Sequence, residues 1–125
     1  MSHEELKIAF PHCKIDIFSE RPKILINVKK LINIHVLDEP SRIDGYARIK
    51  LIINSDSAEA KRQNQSHSLY DIDKTNSAKE IASLIRVCIQ NYCYICSVDY
   101  EVSNDSIEAL ASDAASYIKK TSPNS

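Results

Sequence analysis

Ile24-Leu25-Ile26-Asn27-Val28-Lys29-Lys30-Leu31-Ile32-Asn33-Ile34-His35-Val36-Leu37 is the longest alternating stretch of the chain. Ile24, Ile26, Val28, Ile32, Ile34 and Val36 hold one parity, interrupted only by Lys30. Leu25, Asn27, Lys29, Leu31, Asn33, His35 and Leu37 hold the other. An apolar period of two is the mark of a β-strand with one face in the core. The first parity reads as core. The second mixes three leucines with polar side chains, which makes it a face partly exposed or partly in an interface.

Beyond this stretch, Asp38-Glu39-Pro40-Ser41 breaks the strand, and Asp44-Gly45 holds the only glycine in the chain, where a turn needs positive φ. Alternation resumes over 46–54. Ala47, Ile49, Leu51 and Ile53 point inward; Tyr46, Arg48, Lys50 and Ile52 point outward. The two stretches therefore pair as an antiparallel hairpin. Residues 55–76 are polar, and so long a structureless loop is uncommon inside a domain. A short strand over 66–72 shortens it. Ser66, Ser68, Tyr70 and Ile72 then share one face, with His67, Leu69 and Asp71 on the other, and 55–65 form a mobile hairpin tip. Toward the N-terminus, residues 6–18 also alternate, with a slip of one at Pro11-His12 that reads as a bulge or break.

The period then changes. Ser77-Ala78-Lys79-Glu80 has the form of a capping box. Ala78, Ile81, Ala82, Ile85, Cys88 and Ile89 follow at helical spacing, which ends the helix near Asn91. Residues 94–102 alternate again. Asn104-Asp105-Ser106 opens a last helix with the stripe Ile107, Leu110, Ala111, Ala114, Tyr117 and Ile118. Lys119 and Lys120 sit at its C-terminal end, where the helix dipole favours cations. The expected fold class is α+β: an antiparallel four- to five-stranded sheet with two helices packed on one face, in the order β-β-β-β-α-β-α. Residues 1–120 form a single domain and 121–125 a flexible tail.

Composition narrows the function classes. The chain has 125 residues, is 43% hydrophobic, and carries 16 basic against 17 acidic side chains. That size supports one core without staples. A net charge of −1 lacks the clustered Lys and Arg of a nucleic-acid binder. One glycine excludes phosphate loops and dinucleotide fingerprints. No apolar run approaches the roughly 20 residues of a membrane helix, and the polar start Met1-Ser2-His3-Glu4-Glu5-Leu6-Lys7 is unlike a secretory signal. A cytoplasmic protein without nucleic-acid or membrane partners is the expectation.

The candidates for chemistry are few. Cys13, Cys88, Cys93 and Cys96 imitate a cluster-binding spacing, but no glycine lies between the last three. They read as buried thiols, with half of a zinc site at Cys93 and Cys96 as the alternative. His35 reads as a structural histidine and Ser66-His67-Ser68 as a strand whose neighbours point apart. Asp71 and Asp73 are too few carboxylates for a calcium loop. Asn64-Gln65-Ser66 and Asn104-Asp105-Ser106 have the glycosylation pattern without a secretory context. No catalytic residue, metal or cofactor is expected.

The order of elements resembles the SecB-like chaperones. The stretches that carry the likeness are Lys14-Ile15-Asp16-Ile17-Phe18-Ser19-Glu20 as first strand, Gly45-Tyr46-Ala47-Arg48-Ile49-Lys50-Leu51-Ile52-Ile53 as third, and Val102-Ser103-Asn104-Asp105 opening the last helix. It spans about residues 12–118. The chain departs from the family in having Asp73-Lys74-Thr75-Asn76 where an aromatic, Gly- and Pro-rich segment is expected, and in not being markedly acidic. The resemblance implies a non-enzymatic oligomer that binds unfolded polypeptide along apolar grooves beside the sheet, and it assigns no individual residue a role.

From the residues themselves, Leu25, Leu31, Leu37, Tyr46, Ile52 and Leu69 lie on the second parity of their strands. A sheet with helices on one face should be polar on the other, so a half-apolar outer face implies a cover: another copy of the chain, a partner's extended segment or the N-terminal strand. The reading is a protein-binding module, chaperone-like, whose outer sheet face meets polypeptide or its own copy in a homo-oligomer. The alternatives are an inhibitor or immunity-type protein that blocks one enzyme, and a small zinc or thiol protein using Cys93, Cys96 and His35.

Overall fold

The computed structural model describes residues 1–18, 20–39, 41–66 and 68–121. Among the described residues the fold is α+β, with five α-helices and two three-stranded sheets. Two sheets replace the expected single one, and the order is α-β-β-α-β-β-α-β-α-β-α. His67, read as part of a strand, and residues 122–125 of the expected tail lie outside the described residues.

The chain opens with α1 (His3–Ala9), where alternation suggested a strand. Ser2 and Glu5 form a reciprocal capping box, and Leu6, Ala9 and Phe10 fall at helical spacing on the buried side. Ile8, which a strand would place beside Leu6, is exposed. Two satisfied N-terminal donors and a three-four spacing outweigh a short period of two.

The decisive stretch is split. It forms β2 (Lys23–Leu25), one turn of α2 (Val28–Leu31) and β3 (Ile32–Val36), after β1 (Lys14–Asp16). A continuous strand would place Lys30 on the core face, a costly burial for an unpaired cation. The helical turn instead buries Val28 and Leu31, three apart, and leaves Lys29 and Lys30 in solvent. It carries the chain from one sheet to the other.

The sheet formed by β3, β4 (Tyr46–Ile53) and β5 (Leu69–Asp73) is antiparallel, with β4 central. The expected β3–β4 hairpin is present, with Ile34 opposite Leu51 and His35 opposite Lys50. Gly45 has φ +79 in the turn before β4, where Tyr46 N–H donates to the Ile43 carbonyl at 3.2 Å. Ile49, Leu51 and Ile53 are buried, as the alternation requires. The expected strand near 66–72 is β5, with Ile72 buried and Leu69 and Asp71 exposed.

Residues 55–65 are not a hairpin tip. They lead into α3 (Ala58–Ser66), because Ser57 Oγ accepts the Ala60 N–H at 3.0 Å and good helix formers follow. Asn64 then anchors α3 to the end of β4: its side-chain amide accepts from Ile53 N–H at 2.8 Å and donates to the Ile53 carbonyl at 3.0 Å.

A 3-10 turn (Lys74–Asn76) leads into α4 (Ser77–Ile95). Ser77 is thus helical and buried rather than a cap, and Glu80 Oε2 accepts the Asp73 N–H at 2.9 Å. α4 runs beyond Asn91 because Ile85, Cys88, Ile89, Tyr92, Cys93 and Cys96 continue the buried helical stripe. Cys96, read as a strand residue, is the C-cap, and the expected strand over 94–102 shrinks to β6 (Asp99–Glu101). β6 pairs parallel with β2, and β2 pairs antiparallel with β1. The last helix, α5 (Asn104–Thr121), buries Ile107, Ala111, Ala115 and Ile118, with Leu110 and Ala114 half-buried and Tyr117 half-exposed. α4 and α5 pack on each other, α4 beside β5 and α5 beside β3.

Tyr92 holds these parts together. It is fully buried, its ring 5.0 Å from that of Phe10. Its hydroxyl donates to the Ala9 carbonyl at 2.6 Å and shares a hydrogen bond with Ser57 Oγ at 2.8 Å. Burial raises its ionisation well above the ordinary tyrosine value. Tyr92→Phe leaves the Ala9 carbonyl short of a donor and should cost about 1–3 kcal/mol in urea unfolding; an unchanged midpoint would remove this hydroxyl from the fold's supports.

α4 ends in a Schellman motif. Ser97 N–H donates to the Tyr94 carbonyl and Val98 N–H to the Cys93 carbonyl, each at 3.1 Å. Ser97 occupies the left-handed position at φ 56, where a Cβ is unfavourable by about 1–2 kcal/mol. Ser97→Gly should therefore raise stability by about 1 kcal/mol, read as a higher urea midpoint at unchanged slope.

Candidate polypeptide-binding edge

β4 divides its backbone between two neighbours. Leu37 N–H donates to the Arg48 carbonyl, and Asn54 N–H to the Leu31 carbonyl. Hydrogen-bonded pairs recur every second residue in an antiparallel ladder. The pairs of β3 with β4 are therefore Asn33 with Ile52 and His35 with Lys50. Ile34 and Val36 turn their N–H and carbonyl groups the other way, toward an edge where, among the described residues, the sheet has no further strand. The Ile32 N–H is already used, donating to the Val28 carbonyl at the end of α2.

That edge is the floor of a groove of about 440 Å³. One wall is α5, which supplies Leu110, Asp113, Ala114 and Tyr117; Lys29 of α2 stands at one end. Ile34, Val36, Leu110 and Ala114 are all half-buried, so the groove has an apolar lining beside unpaired main chain. Strand addition to a sheet edge uses both: the backbone groups bind the incoming main chain, and the wall receives alternate side chains.

The opposite edge, β5, is different. A cleft of about 380 Å³ lies between it and α4, lined in part by Tyr70, Ile72, Leu84 and Val87. Here the outward N–H of Asp73 is taken by Glu80. Asp73 also caps the 3-10 turn, accepting from Thr75 N–H at 3.0 Å. At the other end Asn64 occupies the two groups of Ile53 that a longer β5 would have used. Among the described residues the Asp73 N–H is the one outward backbone group of β5 that a side chain fills, and the carboxylates Asp71 and Asp73 on this edge discourage pairing.

The six residues expected to form an outer apolar face separate into three places. Leu37, Tyr46, Ile52 and Leu69 share the outer face of the β3-β4-β5 sheet, in register with Asn33, His35, Arg48, Lys50, Asp71 and Asp73. Leu69 is 53% exposed there. Leu25 lies on the other sheet, 39% exposed among Lys14, Lys23 and Glu101. Leu31 is 0% exposed, in α2. The face they were expected to make is charged as much as apolar. Arg48 pairs with Asp71 at 3.4 Å, and Asp71 also accepts from Ser41 Oγ at 2.8 Å; the Ser41 bond and Arg48 hold its carboxyl below the usual range. Ile34, Val36, Leu110 and Ala114 were legible as core stripes, but not as stripes that stop half-buried at an edge.

The cysteines are free, with Cys88, Cys93 and Cys96 buried. Among the described residues no three His, Cys, Asp or Glu side chains gather as a metal ion requires. Burial pushes the Cys93 thiol up to about 12, with the neighbouring Cys96 adding to it, and Cys88 and Cys96 up to about 11. Cys13 is also raised by burial and accepts the Asn27 N–H at 3.3 Å. Thiols so raised are poor nucleophiles. His35 is exposed on the outer face of β3, away from these thiols in the fold's register. Asn64 is committed to Ile53, while Asn104 accepts from Arg86 Nε at 3.2 Å. Among the described residues no helix is long and apolar enough to cross a membrane.

No family model, curated protein or solved structure matches the chain.

The thiol environment sets a pH dependence. The folded values lie above the ordinary 9.0, so the unfolded chain releases these protons first. Their contribution to stability is complete below pH 9.0 and is lost as pH rises toward about 11 to 12. Urea midpoints should fall over that window, and replacing Cys88 and Cys93 by alanine should flatten the fall. An identical slope in the variant would refute the assignment.

Proposed function

We propose that the protein is a non-enzymatic polypeptide-binding module that takes an extended segment as a fourth strand against β3. The observation that carries this reading is the outward main chain of Ile34 and Val36 beside the α5 wall. Main-chain hydrogen bonds are indifferent to side chains, so such an edge suits segments that are unfolded or locally extended. In this sense the module is chaperone-like, in line with the function that the resemblance to SecB-like chaperones implies. The outer sheet face with Leu37, Tyr46, Ile52 and Leu69 is contiguous with the edge and extends the contact to longer segments.

The reading is tested by amide hydrogen exchange, with and without an unfolded, reduced and alkylated carrier protein. The Ile34 and Val36 amides should become protected. Val36→Pro removes one donor from the free edge, a position where proline is tolerated in a sheet, and should weaken binding about tenfold. Protection confined to residues on the outer face, with Ile34 and Val36 unchanged, would move the site to that face and overturn strand addition.

A further inference from the structure

Resting on the strand-addition reading, the charge around β3 specifies the occupant. A residue that sits opposite His35 on an added strand shares the outer face with it, whereas residues opposite Ile34 and Val36 face α5. The row across the sheet at that position runs from His35 to Lys50 to Leu69. Arg48, one row away, has its charge met by Asp71. Lys50 has a histidine on one side and a leucine on the other. It makes no ion pair among the described residues. The added strand would lie two strand spacings from β4, about 10 Å, so a glutamate opposite His35 and the long Lys50 side chain meet by both extending over His35. Lys29 adds a second cation at the groove's end.

The acids nearby are placed elsewhere. Asp113 lines the helix wall, on the side that receives the other parity. Asp38 and Glu39 follow β3 and lie past its end. We infer that the occupant is an extended partner segment with carboxylates on the parity facing His35 and Lys50 and aliphatic side chains on the parity facing Leu110 and Ala114. A second copy of this chain fits poorly. Paired against β3, a copy's own β3 would bring Asn33 and His35 to the outer face and no carboxylate to meet Lys50.

The test uses three short labelled peptides in which valine alternates with glutamate, glutamine or lysine, titrated into the full chain by fluorescence anisotropy. The glutamate peptide should bind about tenfold more tightly than the lysine peptide, with the glutamine peptide between them. Lys50→Glu should reverse that order, and Lys50→Gln should bring the three together. Ala114→Arg fills the wall and Val36→Pro breaks the edge, so both should weaken every peptide.

If all three peptides bind equally and both groove variants abolish binding, strand addition stands and the charge inference is overturned. Should no peptide bind, or should neither groove variant affect binding, the strand-addition reading itself falls. A dimer in light scattering that both groove variants dissolve would make the second copy the occupant and overturn the inference. Circular dichroism on each variant separates loss of fold from loss of binding.

Discussion

The Tyr92 hydroxyl is the point on which the architecture turns. From within α4 it touches both the end of α1 and the start of α3. A buried hydroxyl without partners is costly, so Ala9, Ser57 and Ser55, whose Oγ lies 3.2 Å away, together favour the position of α4. Ser57 in turn caps α3, and α3 carries Asn64 to the end of β4. The helix that packs on α5 is thus tied through one ring to the central strand of the larger sheet. The α5 wall of the β3 groove takes its position from the same packing, because α4 and α5 lie on each other and α5 lies beside β3.

β4 is shared by residue parity, so the two edges of that sheet differ in their side chains and flanking helices rather than in their backbone. Its even positions serve β3 and its odd positions serve β5. On the β5 side Glu80 takes the outward Asp73 N–H, and Asn64 takes the two groups of Ile53 beyond the start of β5. On the β3 side, among the described residues, the Ile32 N–H is consumed by α2. The asymmetry comes from how the chain arrives. β5 runs directly into a helix whose first turn bears a carboxylate. β3 emerges from a helix and leaves into a turn, with α5 as a flank rather than a cap.

The central hairpin was legible in the sequence because β4 alternates without exception and Gly45 marks its turn. α5 was legible for a similar reason: its stripe keeps one period throughout. The errors share a cause. Residues 24–37 and 92–98 satisfy a period of two and a spacing of three and four at once, since Val28, Leu31 and Ile32, or Tyr92, Cys93 and Cys96, are apolar under either reading. Only the cost of burying Lys30, and the left-handed Ser97, decide between them, and neither is visible in apolar periodicity. The period of two at Leu6, Ile8 and Phe10 hides α1 behind a strand pattern, and the single buried anchor of α3, Ala60, leaves almost no amphipathic signal. The candidate site was half legible. Four of the six expected residues do share a face, but an open edge is a property of strand neighbours, which no single strand's pattern contains.

The smaller sheet has a consequence for how the molecule is made. Its central strand β2 pairs with β1, close in sequence, and with β6, which lies near the other end of the chain. The loop between β2 and β6 encloses β3, β4, β5 and α4, so its closure is entropically costly unless those parts are already compact. The antiparallel sheet, whose strands follow one another, has the shorter loops to close. Loop-closure cost favours condensation of the larger sheet first, with the pairing of β6 and β2 expected as the later step. On the ribosome β2 emerges before β6, so Ile24 lacks its neighbour Tyr100 until β6 has been made.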